Sequence, residues 1–322
     1  MGEGNGADLV WILVSLVGLE IGTQLVVDNA VRISKHYRVP ETVIGLSLLA
    51  IGTDLPELVI SLDASMRNLG GADASGIITG NAVGSALAQI GFVLGCSGLL
   101  GVLSMSKQYL YRHGSALLGS LVLLFLVGLD GVVTRGEGMM LVTVYVVYLA
   151  SLLDEAQVKR GESAAQGRLF DPSAPRTAWF VLALGLTIVV GSAELAVTSA
   201  TNLARAWEID QTVVAILILG LGSSLPEFAI STKAVLQKRG SLSVGNLIGS
   251  NIFDTLVPVG VSALIVPLAF DAGLLRFEIP YLFALSLLVL VFFFRNDGVH
   301  RRESAVALAA YGAYAVIKLM TS

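Results

Sequence analysis

Two glutamates, each set beside a proline in the middle of an apolar stretch, are the residues of this chain with the greatest chemical consequence. Residues 52–57 read GTDLPE and residues 222–227 read GSSLPE. Each is followed by a glycine- and asparagine-rich block, GNAVGSALAQ at 80–89 and GNLIGSNIFD at 245–254. An acidic side chain at the centre of a membrane helix costs about 2.5–3.5 kcal/mol on insertion scales, so intramembrane carboxylates mark ion sites or relays. Glu57 and Glu227, duplicated beside Pro56 and Pro226, are therefore candidate cation ligands. Asp254, at the end of the second block, joins them. Asp54 belongs to the first copy alone, because Ser224 stands at its counterpart. A proline lacks an N–H and clashes with the preceding turn, so the helices that carry Pro56 and Pro226 should break and free carbonyls around Ala50, Ile51, Gly220 and Leu221. Such backbone is tolerated at membrane depth only where it is buried in protein or lines a cavity. Carbonyls, hydroxyls and carboxylates together are the hard oxygen ligands that Ca²⁺ and Na⁺ prefer.

The other polar residues near these motifs carry less. Asp63 lies six residues beyond Glu57, where pairing at the water interface explains it as well as transport does. Glu20, Asp28 and Glu194 fit packing, helix-end or access-path roles. Gly80, Gly84, Gly245 and Gly249 would let their helices approach the broken ones closely, with Asn81 and Asn246 bridging by hydrogen bonds. The GLGSS run at 220–224 lacks the lysine and the strand context of a nucleotide-binding loop.

The elements that must position these residues are membrane spans. The chain has 322 residues, of which 55% are hydrophobic and 14% charged, with a mean hydropathy of +0.80. A soluble domain is usually about 25% charged. One cysteine, Cys96, excludes an internal disulfide framework, and three separated histidines give no histidine-ligated metal site. The first apolar run leads into helical pattern from about Ala7, which predicts no cleavable leader. A crossing needs about 20 apolar residues. Breakers and charge clusters then divide the chain into ten spans, at 7–30, 41–66, 74–103, 112–131, 137–154, 177–204, 211–236, 243–268, 273–294 and 303–320. The connections after spans 1, 3, 5, 7 and 9 hold fourteen lysines and arginines and the opposite side five, with Lys233 inside span 7 completing the 20. By the positive-inside rule this puts odd-numbered connections in the cytoplasm and both termini outside. The polar stretch 156–176 is expected to link two five-span halves, 1–155 and 177–322.

The halves repeat. With an offset of 170, residues 27–57 lie on 197–227 without a gap and share Thr42/Thr212, Gly52/Gly222, Leu55/Leu225, Pro56/Pro226 and Glu57/Glu227, among others. Ser61/Ser231 and Ala64/Ala234 continue the match. With an offset of 165, Asn81/Asn246, Gly84/Gly249 and Ser85/Ser250 align. Five spans per half is an odd number, so the halves should enter the bilayer in opposite directions, as in the inverted repeats of secondary transporters with a site at the midplane. The expected fold is all-α, with ten transmembrane helices in two inverted five-helix repeats.

These motifs resemble the two alpha repeats of the cation/calcium exchanger superfamily, with the pattern G-[TS]-S-x-P-[ED] followed by G-N-x-x-G-S-N, and are most similar to those of prokaryotic sodium/calcium exchangers. The resemblance spans nearly the whole chain. It implies that Glu57 and Glu227 bind Ca²⁺. It implies further that Thr53, Ser223, Ser224, Ser85 and Ser250 help to bind Na⁺, that Asp254 is a polar site residue on span 8, and that the carbonyls of Ala50 and Gly220 face the ions. Three positions depart from the pattern: Asp54 replaces the usual serine, Ala86 replaces the first asparagine of G-S-N, and Gln89 stands opposite Asp254 where asparagine is usual. Like charges held together favour retention of a proton, so Asp54 keeps proton coupling or another divalent cation open. The expected protein is a multi-pass cell-membrane antiporter that exchanges Ca²⁺ for Na⁺ by alternating access, with Ca²⁺/H⁺ exchange as the alternative. Cofactors, nucleic acid and an obligate protein partner are not expected. An enzyme would need a nucleophile–base pair that is missing from these motifs, and a channel would usually build its ligand rings from several subunits.

Overall fold

In lipid the backbone must satisfy its own hydrogen bonds, and a long apolar run does so as a helix. The computed structural model describes residues 3–71, 74–165, 175–207 and 220–321, and it is helical almost throughout. The long elements are α1 (Glu3–Tyr37), α2 (Glu41–Thr53), α3 (Leu55–Leu69), α4 (Ser75–Leu100), α5 (Lys107–Gly128), α6 (Arg135–Ala165), α7 (Pro175–Ala206), α8 (Leu225–Leu236), α9 (Gly240–Ile265), α10 (Leu274–Asn296) and α11 (Arg301–Thr321). Among the described residues, eight helices are long and apolar enough to cross a membrane. The pair α2 and α3, bent by 42°, adds a ninth. The first half of the expected seventh span, residues 208–219, lies outside the described residues, as do 166–174 of the expected linker. Residues 156–165 of that linker continue α6 as helix, where a solvated connection was expected.

The bundle is organised around α9 and α4, whose apolar windows are 83% and 72% buried inside the protein. Helix α9 packs on α2, α3, α4, α6 and α8, while α1 and α7 lie together at the periphery as one long pair. Small residues set these approaches. A Cβ added to Gly249 would stand 2.6 Å from the Leu46 carbonyl oxygen, and one added to Gly245 would stand 2.5 Å from that of Thr42. The second-copy glycines thus hold α9 against the first half of the broken span, backbone to backbone. Gly80 and Gly84 meet no described atom within 4 Å, and the counterpart of their expected partner falls in 212–219. In the α1–α7 pair, Gly18 faces Ser192 and Gly22 faces Val189.

Two short pairings tie the connections together. Val132–Val133, after α5, pairs antiparallel with Leu268–Ala269, after α9. Leu103, before α5, bridges Val299, before α11. Gly298 permits the second contact: its φ is +150°, and a Cβ there would stand 2.7 Å from the Leu103 carbonyl oxygen.

A side chain at Gly249 must push α2 away from α9, and overpacking of this kind costs about 1–3 kcal/mol. Gly249→Val is expected to lower the thermal midpoint in detergent by several degrees, while Gly312→Ala, which meets no described atom, leaves it unchanged. Differential scanning fluorimetry of both variants checks this.

Candidate cation site

The site begins with the two helix breaks. Asp54 separates α2 from α3 at φ −89°, ψ 2°, and Ser224 precedes α8 at φ −91°, ψ 10°. Both conformations lie in the sparsely populated bridge region, and they agree within 10° at positions 170 residues apart. Pro56 and Pro226 each fall in the first turn of the following helix, where a missing N–H costs nothing. Glu57 and Glu227 then occupy the same first turns, at the positive end of each helix dipole. The dipoles of α3 and α8 thus partly offset the cost of holding two carboxylates away from water.

Asp54, Glu57, Glu227 and Asp254 are all fully buried. Asp54 lies within electrostatic range of Asp254, Glu227 and Glu57, Glu57 within range of Glu227 and Asp254, and Asp254 within range of Glu227. The Asp54 and Thr53 side chains lie within hydrogen-bonding reach of Glu227; by strict geometry no oxygen of Asp54, Glu57 or Glu227, nor Oδ1 of Asp254, accepts from a donor among the described residues. Buried polar groups are normally hydrogen-bonded and buried charges paired or on metals, so this cluster calls for cations. No three acidic, histidine or cysteine side chains among the described residues form a metal cage of their own. A cation held here would therefore need neutral oxygens to complete its shell.

Those oxygens are arranged along α4, α9 and the breaks. Gln89 Nε2 donates to Asp254 Oδ2 at 3.0 Å and to Ser85 Oγ at 3.3 Å. The Ser85 and Ser224 hydroxyls lie 3.4 Å apart, which joins α4 to the second break. Thr53 Oγ1 spends its proton on the Leu49 carbonyl at 3.1 Å, and its remaining lone pair can face a cation. Ser250 Oγ is buried and has no partner among the described residues. Ser223 is half-buried in the turn before α8. Gly220 opens the turn Gly220–Gly222.

One expectation needs correcting. Breaking the helix does not free the Ala50 carbonyl, which accepts the Asp54 amide at 3.1 Å and the Thr53 hydroxyl at 3.3 Å. The Leu221 carbonyl likewise accepts the Ser224 amide at 3.2 Å. The residue that loses its helical donor is the one four before the proline, which is Gly52 in the first copy and Gly222 in the second. The expected Asn246 bridge is present, from Nδ2 to Ser231 Oγ at 3.5 Å, but Asn81 Nδ2 has no partner among the described residues. Asp63 pairs with Arg67 at 2.7 Å on the exposed end of α3.

Sequence reasoning passed over several groups. Asn251 donates to Gln89 Oε1 at 2.7 Å, and its own Oδ1 is buried without a partner. It is the asparagine of the second G-S-N block, opposite Ala86. Ser61 also holds an unpartnered buried oxygen, and it recurs across the repeat, which was the available signal; Asn246, expected only as a bridge, keeps its Oδ1 buried and unpartnered as well among the described residues. Tyr145 on α6 lies within electrostatic range of Asp54 and Asp254 and packs edge-on against Phe253 at 5.4 Å. Nothing in its local sequence marks it.

The family model described as "Sodium/calcium exchanger protein" matches residues 8–153 and 177–320. The chain is 31% identical over 343 residues to Sodium/calcium exchanger MaX1 of Methanosarcina acetivorans, across 95% of this chain and 97% of that protein. It is 28% identical to Inner membrane protein YrbG of Escherichia coli, across 80% and 81%. Among solved structures, the sodium-calcium exchanger NCX_Mj, in crystals soaked without Na⁺ and Ca²⁺, matches with a TM-score of 0.81 at 29% identity over 97% of this chain and 98% of that one.

Removing one of several mutually repelling buried carboxylates should stabilise the ion-free protein and remove a ligand. Glu227→Gln is expected to raise the thermal midpoint in chelator. A ligand at about 100 times its dissociation constant stabilises a protein by about 2.7 kcal/mol, and this Ca²⁺-induced upward shift should be seen in the unmutated protein and be lost in the variant. Thermal unfolding with and without Ca²⁺ measures both effects.

Proposed function

We propose that this chain, which belongs to the sodium/calcium exchanger family, is a secondary antiporter that exports Ca²⁺ in exchange for Na⁺ by alternating access. Family membership makes it a multi-pass membrane transporter for cation exchange. The observation that carries the finer reading is the set of four buried carboxylates, Asp54, Glu57, Glu227 and Asp254, whose oxygens are almost wholly without protein donors. Two of them sit at equivalent half-helix starts. Ca²⁺ takes six to eight oxygen ligands with carboxylates among them. Glu57 and Glu227 supply two of these, and Asp254 stands beside them on α9. The hydroxyls of Thr53, Ser85, Ser223, Ser224 and Ser250 give neutral oxygens suited to Na⁺, with the backbone carbonyls of Gly52 and Gly222 at the breaks. Gln89 orients Asp254 through its 3.0 Å hydrogen bond.

The mechanism follows from charge. A buried space that holds several bare carboxylates is costly to move through a low-dielectric barrier, because each uncompensated charge carries a large desolvation penalty. Reorientation therefore requires cations in the site. Ca²⁺ on one trip and Na⁺ on the other, competing for overlapping ligands, give exchange in place of leak. Sliding of the peripheral pair α1 and α7 across the packed core then exposes the site to each side in turn. This reading takes the fold as ten spans in two inverted repeats with both termini outside. The cross-connection pairings support that count, since Val132–Val133 meets Leu268–Ala269 and Leu103 meets Val299. Under the ten-span count each pairing joins connections on one side, separated by an even number of crossings.

Asp54 gives Ca²⁺/H⁺ exchange its footing, because it adds a fourth carboxylate where the second copy has Ser224. Proteoliposomes of the purified protein, given ⁴⁵Ca²⁺ with either an outward Na⁺ gradient or an outward H⁺ gradient, separate the two. Uptake driven by Na⁺ alone is expected, and uptake driven by H⁺ alone would overturn Na⁺ coupling. Glu57→Gln is expected to abolish the flux in protein that still folds by size-exclusion chromatography. Asp54→Ser is expected to alter the Na⁺ or pH dependence of ⁴⁵Ca²⁺ uptake more than its maximum; a dependence unchanged in both would remove Asp54 from the site.

A further inference from the structure

Lys233 falls inside an expected span, one turn before its end, and none of the chemistry above uses it. Its side chain is 15% exposed, and its Nζ lies 2.5 Å from Glu20 Oε1 on α1. One turn further along the chain, Gln237 Nε2 donates to Asp28 Oδ1 at 3.0 Å and to Gln24 Oε1 at 3.4 Å. Gln24 and Asp28 are themselves hydrogen-bonded. Glu20, Gln24 and Asp28 stand four residues apart, so they present one row of acceptors along α1 at about 6 Å intervals. Lys233, in the last turn of α8, and Gln237, just past its end, are spaced the same way. The contacts advance together in sequence, so the two helices run in the same direction.

This ladder is present on one side of the molecule only. At the positions 170 residues earlier, Asp63 and Arg67 pair within α3 at 2.7 Å, both well exposed. The faces differ in the same way: Ile230 on α8 is fully buried, while its counterpart Ile60 on α3 is 43% exposed. Helix α1 therefore covers α8, while the equivalent face of α3 is left exposed by the described residues. Beside the pair, between α1 and α8, lies a crevice of about 240 Å³ lined by Leu16, Leu19, Thr23, Phe228, Ala229 and Leu236. It gives α1 room to move.

We propose that Glu20, Gln24 and Asp28 form a rail along which Lys233 is handed as span 1 slides. Glu20 and Lys233 are then positioning residues that hold the transporter in the state seen here, with α1 docked on α8. A lysine on a half-covered helix face cannot be left without an acceptor at membrane depth. As α1 is displaced by one turn, Gln24 replaces Glu20, and after two turns Asp28 does. Packed interfaces prefer such discrete one-turn registers to continuous sliding. This inference rests on the alternating-access reading and adds the residues that set its stops.

The experiment has one arm that needs no transported ion. In a Cys96→Ser background, Ala229→Cys reports docking by its rate of maleimide labelling. Adding Glu20→Gln or Lys233→Met is expected to raise that rate at least threefold, and the exchanged pair Glu20→Lys with Lys233→Glu to return it towards the starting value. In ⁴⁵Ca²⁺ counterflow, each single variant is expected to lower the maximal rate at least fivefold, with half-saturating Ca²⁺ within twofold, and the exchanged pair to recover at least half of the rate. A bifunctional thiol cross-link between Glu20→Cys and Lys233→Cys should arrest flux until it is reduced. Labelling that is unaffected by either single variant overturns the proposal, as does an exchanged pair that fails to restore either readout in folded protein. Labelling that changes as expected in a protein without Ca²⁺ counterflow would uphold the pair and reject the Ca²⁺ reading.

Discussion

Carboxylates buried away from water and from protein donors repel one another and lose their hydration, and nothing in an apolar bundle compensates them. Asp54, Glu57, Glu227 and Asp254 impose this condition on the centre of the chain. The surrounding structure meets part of it: helix starts aim dipoles inward, and hydroxyls and an amide line the cluster. The low dielectric that makes the clustered charge costly also strengthens its attraction to any opposite charge placed beside it.

The helix breaks bring the glutamates to that centre. A continuous helix would leave Glu57 and Glu227 with no free amide end nearby. Breaking each span one residue before the leucine–proline pair starts a new helix whose first turn holds the glutamate. The break costs little because proline is suited to the first turn and because the surrounding helices bury it. The same bridge-region backbone at Asp54 and Ser224 shows that this geometry belongs to the motif, whereas the side chain at the junction is free to vary between the copies. That freedom is what admits Asp54 and its extra negative charge.

The division between core and periphery also follows from side-chain size. Gly245 and Gly249 let α9 meet the first half of span 2 backbone to backbone, which makes that contact rigid. The outer pair α1 and α7 is held to the core by fewer groups, and the polar ones are concentrated on the face of α1 that carries Glu20, Gln24 and Asp28.

The duplicated motifs, the broken second span and the acidic residues beside the breaks were legible in the sequence, because each is a matter of residue type and local spacing. Pro56 in the repeated motif falls in the first turn of a new helix and Glu57 follows one residue later, whereas Pro258 sits inside the unbroken α9. Tertiary structure decided what no local pattern encodes. Gln89 reaches Asp254 across 165 residues, and Asn251 braces Gln89, because α4 and α9 cross there. The Ala50 carbonyl, expected to be free, is capped by the Asp54 amide, because the chain turns at Asp54 before it reaches the proline. Tyr145 and the Lys233–Glu20 pair likewise exist only as contacts between helices far apart in the chain. Local rules set by the backbone and the membrane fixed which residues carry charge at depth, but only the packing of one helix on another determined which of those charges meet.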